Sequence, residues 1–390
     1  MKNIKAFIHI LLPRLFLLLF ITGVVYTLCS CEKEENYGTP AITNIRITDP
    51  DKADSSLTAA DMGQMIVIQG TNLASVQHIF FNDVEAFFLP TYATNSNIIV
   101  TIPSEFPTEL TNQITVITKG GTATYDFTVD IPKPVVTSLS AEYVAAGDEL
   151  TVYGLYFVNL ESVQFGGDVE GTIVSYTETE LVVKVPEGAE TGKIIVVAVA
   201  GSAESSQIFR DARGVILNFD NKTPCWGTMP IISASTNPDP APISGNYARI
   251  TDSDIPEQSW WNDAWVFAIC GSVGVTSGVP SDYNLKFEAN VLEDWEYGWF
   301  EIKIVSGEEY FYVWQPQAGL EEPFKTDGWI TVSVPISSFT QKVGGAVGGP
   351  AISDIVNGVD LYVAFQNPAG GVVKLLDICF DNIRIVPVSE

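Results

Sequence analysis

All eight tryptophans of the 390-residue chain lie between Trp226 and Trp329, and the first 225 residues contain none. An indole covers a flat apolar surface while its polar edge stays wet. The C–H face of a pyranose ring is such a surface, so the clustering points to carbohydrate binding at one end of the chain. Trp226 sits in Pro224-Cys225-Trp226-Gly227, a turn context, and Trp260 and Trp261 are adjacent in the polar run Pro256-Glu257-Gln258-Ser259-Trp260-Trp261-Asn262-Asp263. Two neighbouring indoles on a loop are hard to bury together. Trp226, Trp260 and Trp261 are therefore the first candidates for ligand contact, with Asn262, Asp263 and Gln315 as neighbours for sugar hydroxyls.

The other tryptophans divide by strand phase, because alternate side chains of a strand point to opposite faces. In Trp299-Phe300-Glu301-Ile302-Lys303-Ile304, Trp299 shares a face with Glu301 and Lys303, and the apolar residues take the core. Tyr310, Tyr312 and Trp314 oppose Phe311 and Val313, which leaves that strand ambiguous. Trp265 shares an apolar face with Phe267 and Ile269 and is expected in the core. Trp329 falls on the polar phase of its strand but is assigned to the fold. Trp295, Trp299 and Trp314 form a second group of ligand-contact candidates.

The elements that must position these residues are β-strands. Runs such as Tyr283 to Val291, Trp299 to Val305, Tyr310 to Trp314, Trp329 to Val334 and Val359 to Phe365 read as strands, and no stretch of residues 214–390 has a helical period. This segment is expected to form a jelly-roll-like β-sandwich. Ahead of it lies a repeat. Gly63-Gln64-Met65-Ile66-Val67-Ile68-Gln69-Gly70 returns as Gly147-Asp148-Glu149-Leu150-Thr151-Val152-Tyr153-Gly154. Val100-Thr101-Ile102-Pro103 likewise returns as Val183-Lys184-Val185-Pro186. Two copies of one all-β unit, each of immunoglobulin-like size, follow from this spacing. The second copy has Leu155-Tyr156 where Thr71-Asn72 stands in the first, which weakens a turn signal there. Pro132-Lys133-Pro134 reads as a short stiff link between the copies.

Composition excludes several classes. The formal net charge is −27. Residues 1–30 carry Lys2, Lys5 and Arg14 and no acid, which leaves 17 basic against 47 acidic residues beyond them. Such a chain repels phosphate backbones, so nucleic acid is not an expected partner. His78 is the only histidine outside the leader, and it reads as a half-exposed strand residue rather than part of a triad. Cys225, Cys270 and Cys379 are too few and too scattered for a disulfide framework, and at most one bridge can form. No CxxC pair exists to hold zinc.

The N-terminus has the pattern of a secretion signal: Lys2 and Lys5 precede an apolar run from Leu15 to Val25 that is too short to span a bilayer comfortably. Leu28-Cys29-Ser30-Cys31 resembles a bacterial lipobox, which implies cleavage before Cys31 and lipidation of its thiol. Glu32-Lys33-Glu34-Glu35 then resembles the surface-export signal of Bacteroidota lipoproteins. The repeats, with proline-led entries at Pro40 and Pro134, resemble IPT/TIG domains. The Phe219-Asp220 opening, the strand Gly328 to Ile336 and the Phe380-Asp381-Asn382-Ile383-Arg384 ending resemble carbohydrate-binding jelly rolls.

Together these features resemble the surface glycan-binding lipoproteins of Bacteroidota polysaccharide utilization loci, of the xyloglucan-binding type. The resemblance implies a signal peptide at 1–30, an acidic tether at 31–40, IPT/TIG domains at 41–131 and 132–213, and a glycan-binding β-sandwich at 214–390. It implies a chain anchored by lipid at Cys31 to the outer membrane and exposed outside the cell. There it would hold β-linked plant glycan for a SusC/SusD-like importer and surface glycanases. In that family an aromatic loop after the first strand and an aromatic pair some way on form the sugar platform, which Trp226, Trp260 and Trp261 match. Sugar-binding jelly rolls also suggest a structural calcium near Asp220 and Asp381, where oxygen ligands would suit the ion.

Two other functions fit parts of the sequence. A glycoside hydrolase needs two carboxylates across the scissile bond, and Asp294, Glu296 and Glu301 lie beside Trp295 and Trp299. They lack the Glu-x-Asp-x-x-Glu run of the jelly-roll β-glucanases, so no catalytic residue is assigned. A surface adhesin with exposed tryptophans at a protein interface is the other alternative.

Overall fold

The computed structural model describes residues 37–260, 265–271, 277–306, 308–350 and 359–388. The expected signal, residues 31–36 of the tether with Cys31, and Trp261, Asn262 and Asp263 lie outside the described residues. The fold is all-β, with only single 3-10 turns between strands among the described residues. The chain divides into two compact units, one ending at Ile131 and the other running from Pro132 to Glu390.

The first unit contains β1 (Ala41–Ile47), β2 (Ala59–Asp61), β3 (Met65–Thr71), β4 (Val76–Phe81), β5 (Val84–Glu85), β6 (Asn97–Thr101), β7 (Gln113–Thr118), β8 (Gly121–Asp126) and β9 (Thr128–Asp130). A β1-β3-β6 sheet and a β5-β4-β7-β8 sheet enclose a core that includes Ile45, Ile66, Ile68, Ile79, Phe81 and Phe127. His78 stands on β4, half exposed, with Nδ1 2.6 Å from Glu85 Oε1.

The second unit opens with β10 (Val135–Leu139), β11 (Glu149–Leu155), β12 (Leu160–Gly166), β13 (Val169–Tyr176), β14 (Glu180–Lys184), β15 (Glu190–Ala198) and β16 (Gly201–Phe209), in spatial order β10-β11-β14-β13-β12-β15-β16. These strands surround their own core, including Leu150, Val152, Phe165, Leu181, Val196 and Phe209.

The repeated glycine has a physical cause. A Cβ on Gly70 would stand 2.0 Å from the Ala41 carbonyl oxygen, and one on Gly154 2.1 Å from that of Val135. The proline-led entry strand thus crosses the repeat strand too closely for any side chain. The turn that follows is kept in both copies: Asn72 has φ 58° and its counterpart Tyr156 has φ 60°. Asparagine adopts this left-handed conformation readily and tyrosine does so at a cost. The weakened turn signal at Leu155-Tyr156 reflects a change of residue, not a change of turn.

The rest of the second unit is a sandwich of two sheets. Its strands are β17 (Val215–Leu217), β18 (Ile231–Ile232), β19 (Tyr247–Ile255), β20 (Val266–Gly271), β21 (Tyr283–Val291), β22 (Trp299–Ser306), β23 (Glu308–Trp314), β24 (Ile330–Pro335), β25 (Thr340–Gln341), β26 (Val359–Gln366) and β27 (Val373–Pro387). One sheet runs β18-β19-β27-β21-β24, with β17 also paired to β27; the other runs β20-β26-β22-β23-β25. Their inner faces share one apolar core that includes Phe287, Phe300, Ile302, Phe365 and Phe380.

A buried ionic cluster joins the β10–β16 sandwich to this one. Glu142, between β10 and β11, is fully buried, and its carboxylate meets Arg384 Nη2 of β27 at 2.7 Å and also Lys286 Nζ of β21. Arg384 Nη2 also stands 2.8 Å from Glu288 Oε1. Thr331 Oγ1 accepts the Glu142 backbone N–H and donates to Glu288 Oε2, both at 2.6 Å. Burial pushes the Glu288 carboxyl up to about 7, against the pull of Arg384. Each charge here depends on its partners, because an unpaired buried ion costs several kcal/mol.

Candidate functional site

The β20-β26-β22-β23-β25 sheet places its alternate residues on two faces. Phe300, Ile302 and Ile304 of β22 turn inward, so Trp299, Glu301, Lys303 and Val305 turn outward. Cross-strand pairing extends the outer face: Lys303 lies opposite Tyr362, Glu301 opposite Ala364 and Trp299 opposite Gln366, while on the other side of β26 Tyr362 lies opposite Ala268 and Ala364 opposite Val266. A cavity of about 260 Å³ opens on this face, lined by Trp226, Val266, Glu301, Lys303, Glu309 and Tyr362, among others. Trp299 continues the same face four residues along β22 from Lys303, roughly 13 Å away at the usual strand rise.

Trp226 is held against the edge of β20. The Cys225 N–H donates to Ala268 O at 2.9 Å, and the Ala268 N–H donates to Trp226 O at 3.2 Å. Gly227 follows with φ 103°, and a Cβ there would stand 2.2 Å from Val266 O. Only glycine permits that approach. Cys225 and Cys270 form the single disulfide among the described residues, with Cα atoms 5.9 Å apart, and it ties the same segment to the far end of β20. Cys379 remains a buried free thiol. The Trp226 ring lies 5.6 Å from that of Tyr362, tilted by 58°, and both are partly exposed. The two rings form an aromatic wall at one side of the cavity.

Trp260 is 62% exposed, the most open tryptophan among the described residues. Its neighbour Ser259 exchanges two backbone hydrogen bonds with Asn367, at 3.0 and 2.8 Å, just past the end of β26. Asn367 is fully buried, and its Nδ2 donates to Ile255 O, Pro256 O and Gly371 O. It fixes the Trp260 loop to the end of the strand whose Gln366 pairs with Trp299. Backbone pairing thus links the segments carrying Trp226, Tyr362, Trp299 and Trp260 to one sheet.

The structure corrects two of the second-group candidates. Trp295 is 1% exposed and Trp314 6%, and their rings pack edge to face at 5.4 Å within the core. Neither presents a face to a ligand. For Trp314 the cause is the phase left open in the sequence: it pairs with inward Phe300, so Tyr310 and Tyr312 also turn in and Phe311 and Val313 turn out. For Trp295 the loop folds back, pairing Trp295 with Phe324, and its indole N–H donates to Tyr297 O at 2.7 Å. Trp265 is core as expected, with Nε1 donating to Asp252 at 2.8 Å. Trp329 is half-buried, packs edge-on to Tyr247 and donates to Ala241 O.

Polar groups surround the cavity. Lys303 Nζ stands 3.3 Å from Glu301 Oε1 and 3.6 Å from Glu309 Oε2, while Lys342 Nζ reaches Glu309 at 2.6 Å. Lys342 holds the Glu309 carboxyl below its usual range. The Tyr362 hydroxyl donates to Asp360 at 3.3 Å. Gln315 is half-buried and directly follows Trp314, the residue paired with Phe300 at the end of β23. Of the carboxylates considered for hydrolysis, Asp294 and Glu296 are exposed on the Trp295 loop and only Glu301 lines the cavity.

The suggested calcium ligands have protein partners instead. Asp220 accepts the Asn246 N–H, and buried Asp381 accepts the Ser244 hydroxyl and the Asn382 N–H. Burial pushes the Asp381 carboxyl up to about 8. Among the described residues no cluster of three or more acidic, histidine or cysteine side chains converges on a metal position.

An open sheet face bearing fixed aromatic rings beside charged hydrogen-bonding groups is the design of a carbohydrate-binding module. The comparisons name the family. Residues 209–387 match the surface glycan-binding protein B xyloglucan binding domain, and residues 51–129 and 134–210 match the IPT/TIG domain. Residues 209–387 thus form a domain of the surface glycan-binding protein B xyloglucan-binding type, and two IPT/TIG domains stand ahead of it. An IPT/TIG domain-containing protein of Bacteroides ovatus is 24% identical across 99% of this chain and 100% of its own length. The surface glycan-binding protein PbSGBP-B of Prevotella bryantii superposes with TM-score 0.64 at 25% identity, covering 90% of this chain and 99% of that one. SGBP-B from a complex xyloglucan utilization locus of Bacteroides uniformis has the same fold, with TM-score 0.52 at 19% identity, over 90% of this chain and 99% of its own. Both of these solved structures are of surface glycan-binding proteins.

Proposed function

We propose that this chain binds xyloglucan or a related β-linked glucan at the cell surface, along the outer face of the β20-β26-β22-β23-β25 sheet. The observation that carries the reading is the Trp226–Tyr362 wall, clamped to β20 by backbone hydrogen bonds and the Cys225–Cys270 disulfide and open to a cavity beside Lys303 and Glu301. Trp226 and Tyr362 take one sugar face, Trp299 a second position along the strand, and Trp260 an end position on the loop; Trp261, next in sequence, is proposed as a further ligand contact.

Covering one indole face removes about 60 Å² of apolar surface from water, worth roughly 1.5 kcal/mol. Association costs about 4 kcal/mol or more. Several stacks and hydrogen bonds are therefore needed, and a polymer that meets many tethered copies gains further through avidity. Lipid at Cys31 would anchor the chain to the outer membrane, and the IPT/TIG domains would serve as the spacer. Capture would hold glycan near surface glycanases and a SusC/SusD-like importer. Affinity electrophoresis over a panel of plant polysaccharides tests the reading: xyloglucan should retard the protein, and uniform migration through every neutral β-glucan would refute it.

A further inference from the structure

The cavity carries a charge arrangement that stacking does not require. Among the described residues Lys303 is the only cation lining it, and Glu301 and Glu309 line it too. The lysine stands between these two carboxylates, at 3.3 and 3.6 Å, so its charge is already engaged from both sides. Lys342, at the outer edge, is engaged by Glu309 at 2.6 Å. Asp360 lies beside the Tyr362 hydroxyl on the opposite wall. The whole chain adds a net charge of −27. A neutral hydroxyl can accept from Lys303 and donate to Glu301 at little cost. An incoming carboxylate finds both lysines already paired, and with Asp360 the named groups hold three acids against two cations.

Resting on the glycan-binding reading above, we propose that this face selects by charge: Glu301 and Glu309 reject glycans bearing carboxylates and reserve the site for uncharged ones. Such selection works by a repulsive element against the wrong ligand, not by an added contact to the right one. Like charges a few ångströms apart in a partly solvated groove are worth about tenfold in affinity or more. Salt screens part of that repulsion.

The test compares xyloglucan with the same polymer carboxylated at its accessible C6 positions, matched in length, by affinity electrophoresis and calorimetry. The wild-type protein should bind the carboxylated polymer about tenfold more weakly at low salt, with the gap narrowing at high salt. In the double variant Glu301→Gln, Glu309→Gln, Lys303 is freed and the carboxylated-to-neutral affinity ratio should rise at least tenfold. Thermal melting checks that the variant is folded. Equal wild-type binding of both polymers at low salt, or an unchanged ratio in the folded variant, overturns the charge proposal alone. Failure of the wild-type protein to bind the uncharged polymer overturns the glycan-binding reading and this inference with it.

Discussion

The Arg384 guanidinium and the Glu142 carboxylate meet at 2.7 Å across the junction of two domains, and both side chains are fully buried. Removing the carboxylate leaves Arg384 and Lys286 facing each other's strands without their shared partner. Glu142→Ala should cost about 3–5 kcal/mol. Calorimetry should show one transition for the β10–β16 and β17–β27 sandwiches in the wild-type protein and two in the variant. A single unshifted transition would mean the cluster couples nothing.

Stability should fall as pH rises. Asp381 has its folded-state value pushed from 3.8 up to about 8 by burial, so the folded protein holds a proton that the unfolded chain has released. Folded chains then bind more protons between about pH 4 and 8, and unfolding becomes easier across that window as pH increases. Glu288, raised to about 7, adds a slope of the same sign. The melting temperature should drop from pH 5 to pH 8, and Asp381→Asn should flatten part of that drop. A melting temperature that rises over this range in the wild-type protein would contradict the assignment.

The disulfide should matter to binding as well as to folding. It closes a loop of 45 residues, and the chain-entropy estimate for that length is about 4 kcal/mol. Cys225→Ser with Cys270→Ser should lower the melting temperature and weaken xyloglucan binding, because Trp226 adjoins the released cysteine. Binding that is unaffected in the folded double variant would place the ligand away from Trp226.

The core tryptophans give a contrasting prediction. Trp295→Ala removes a ring that packs against Phe300, Trp314 and Phe365. It should cost about 3–5 kcal/mol of stability. Urea denaturation would measure this, and a loss below 1 kcal/mol would show that the ring is not part of the core.

The fold was largely legible in the sequence because strand alternation and the repeated glycine are local signals. Ile66 and Ile68, with Leu150 and Val152, lie inside as their spacing predicts. Trp299 falls on the outer face with Glu301 and Lys303 for the same reason. Phase failed where both faces of a strand are aromatic, at Tyr310 to Trp314, since only the pairing with β22 tells in from out. It failed for Trp295 because a folded-back loop has no period. Tyr362 was missed because one tyrosine beside Asp360 on a strand face does not mark a site; its role depends on Trp226 arriving from 136 positions earlier. Glu142 was equally silent, since nothing local marks a carboxylate whose partners are Lys286 and Arg384.

On the proposed reading, the outer face of the β20-β26-β22-β23-β25 sheet binds glycan through Trp226. Isothermal titration of xyloglucan oligosaccharide into the wild-type protein and into Trp226→Ala, each checked for folding by its melting curve, measures it directly. The wild-type protein should show saturable binding, and the folded variant should bind at least tenfold more weakly. Equal affinity in the two proteins would contradict that reading.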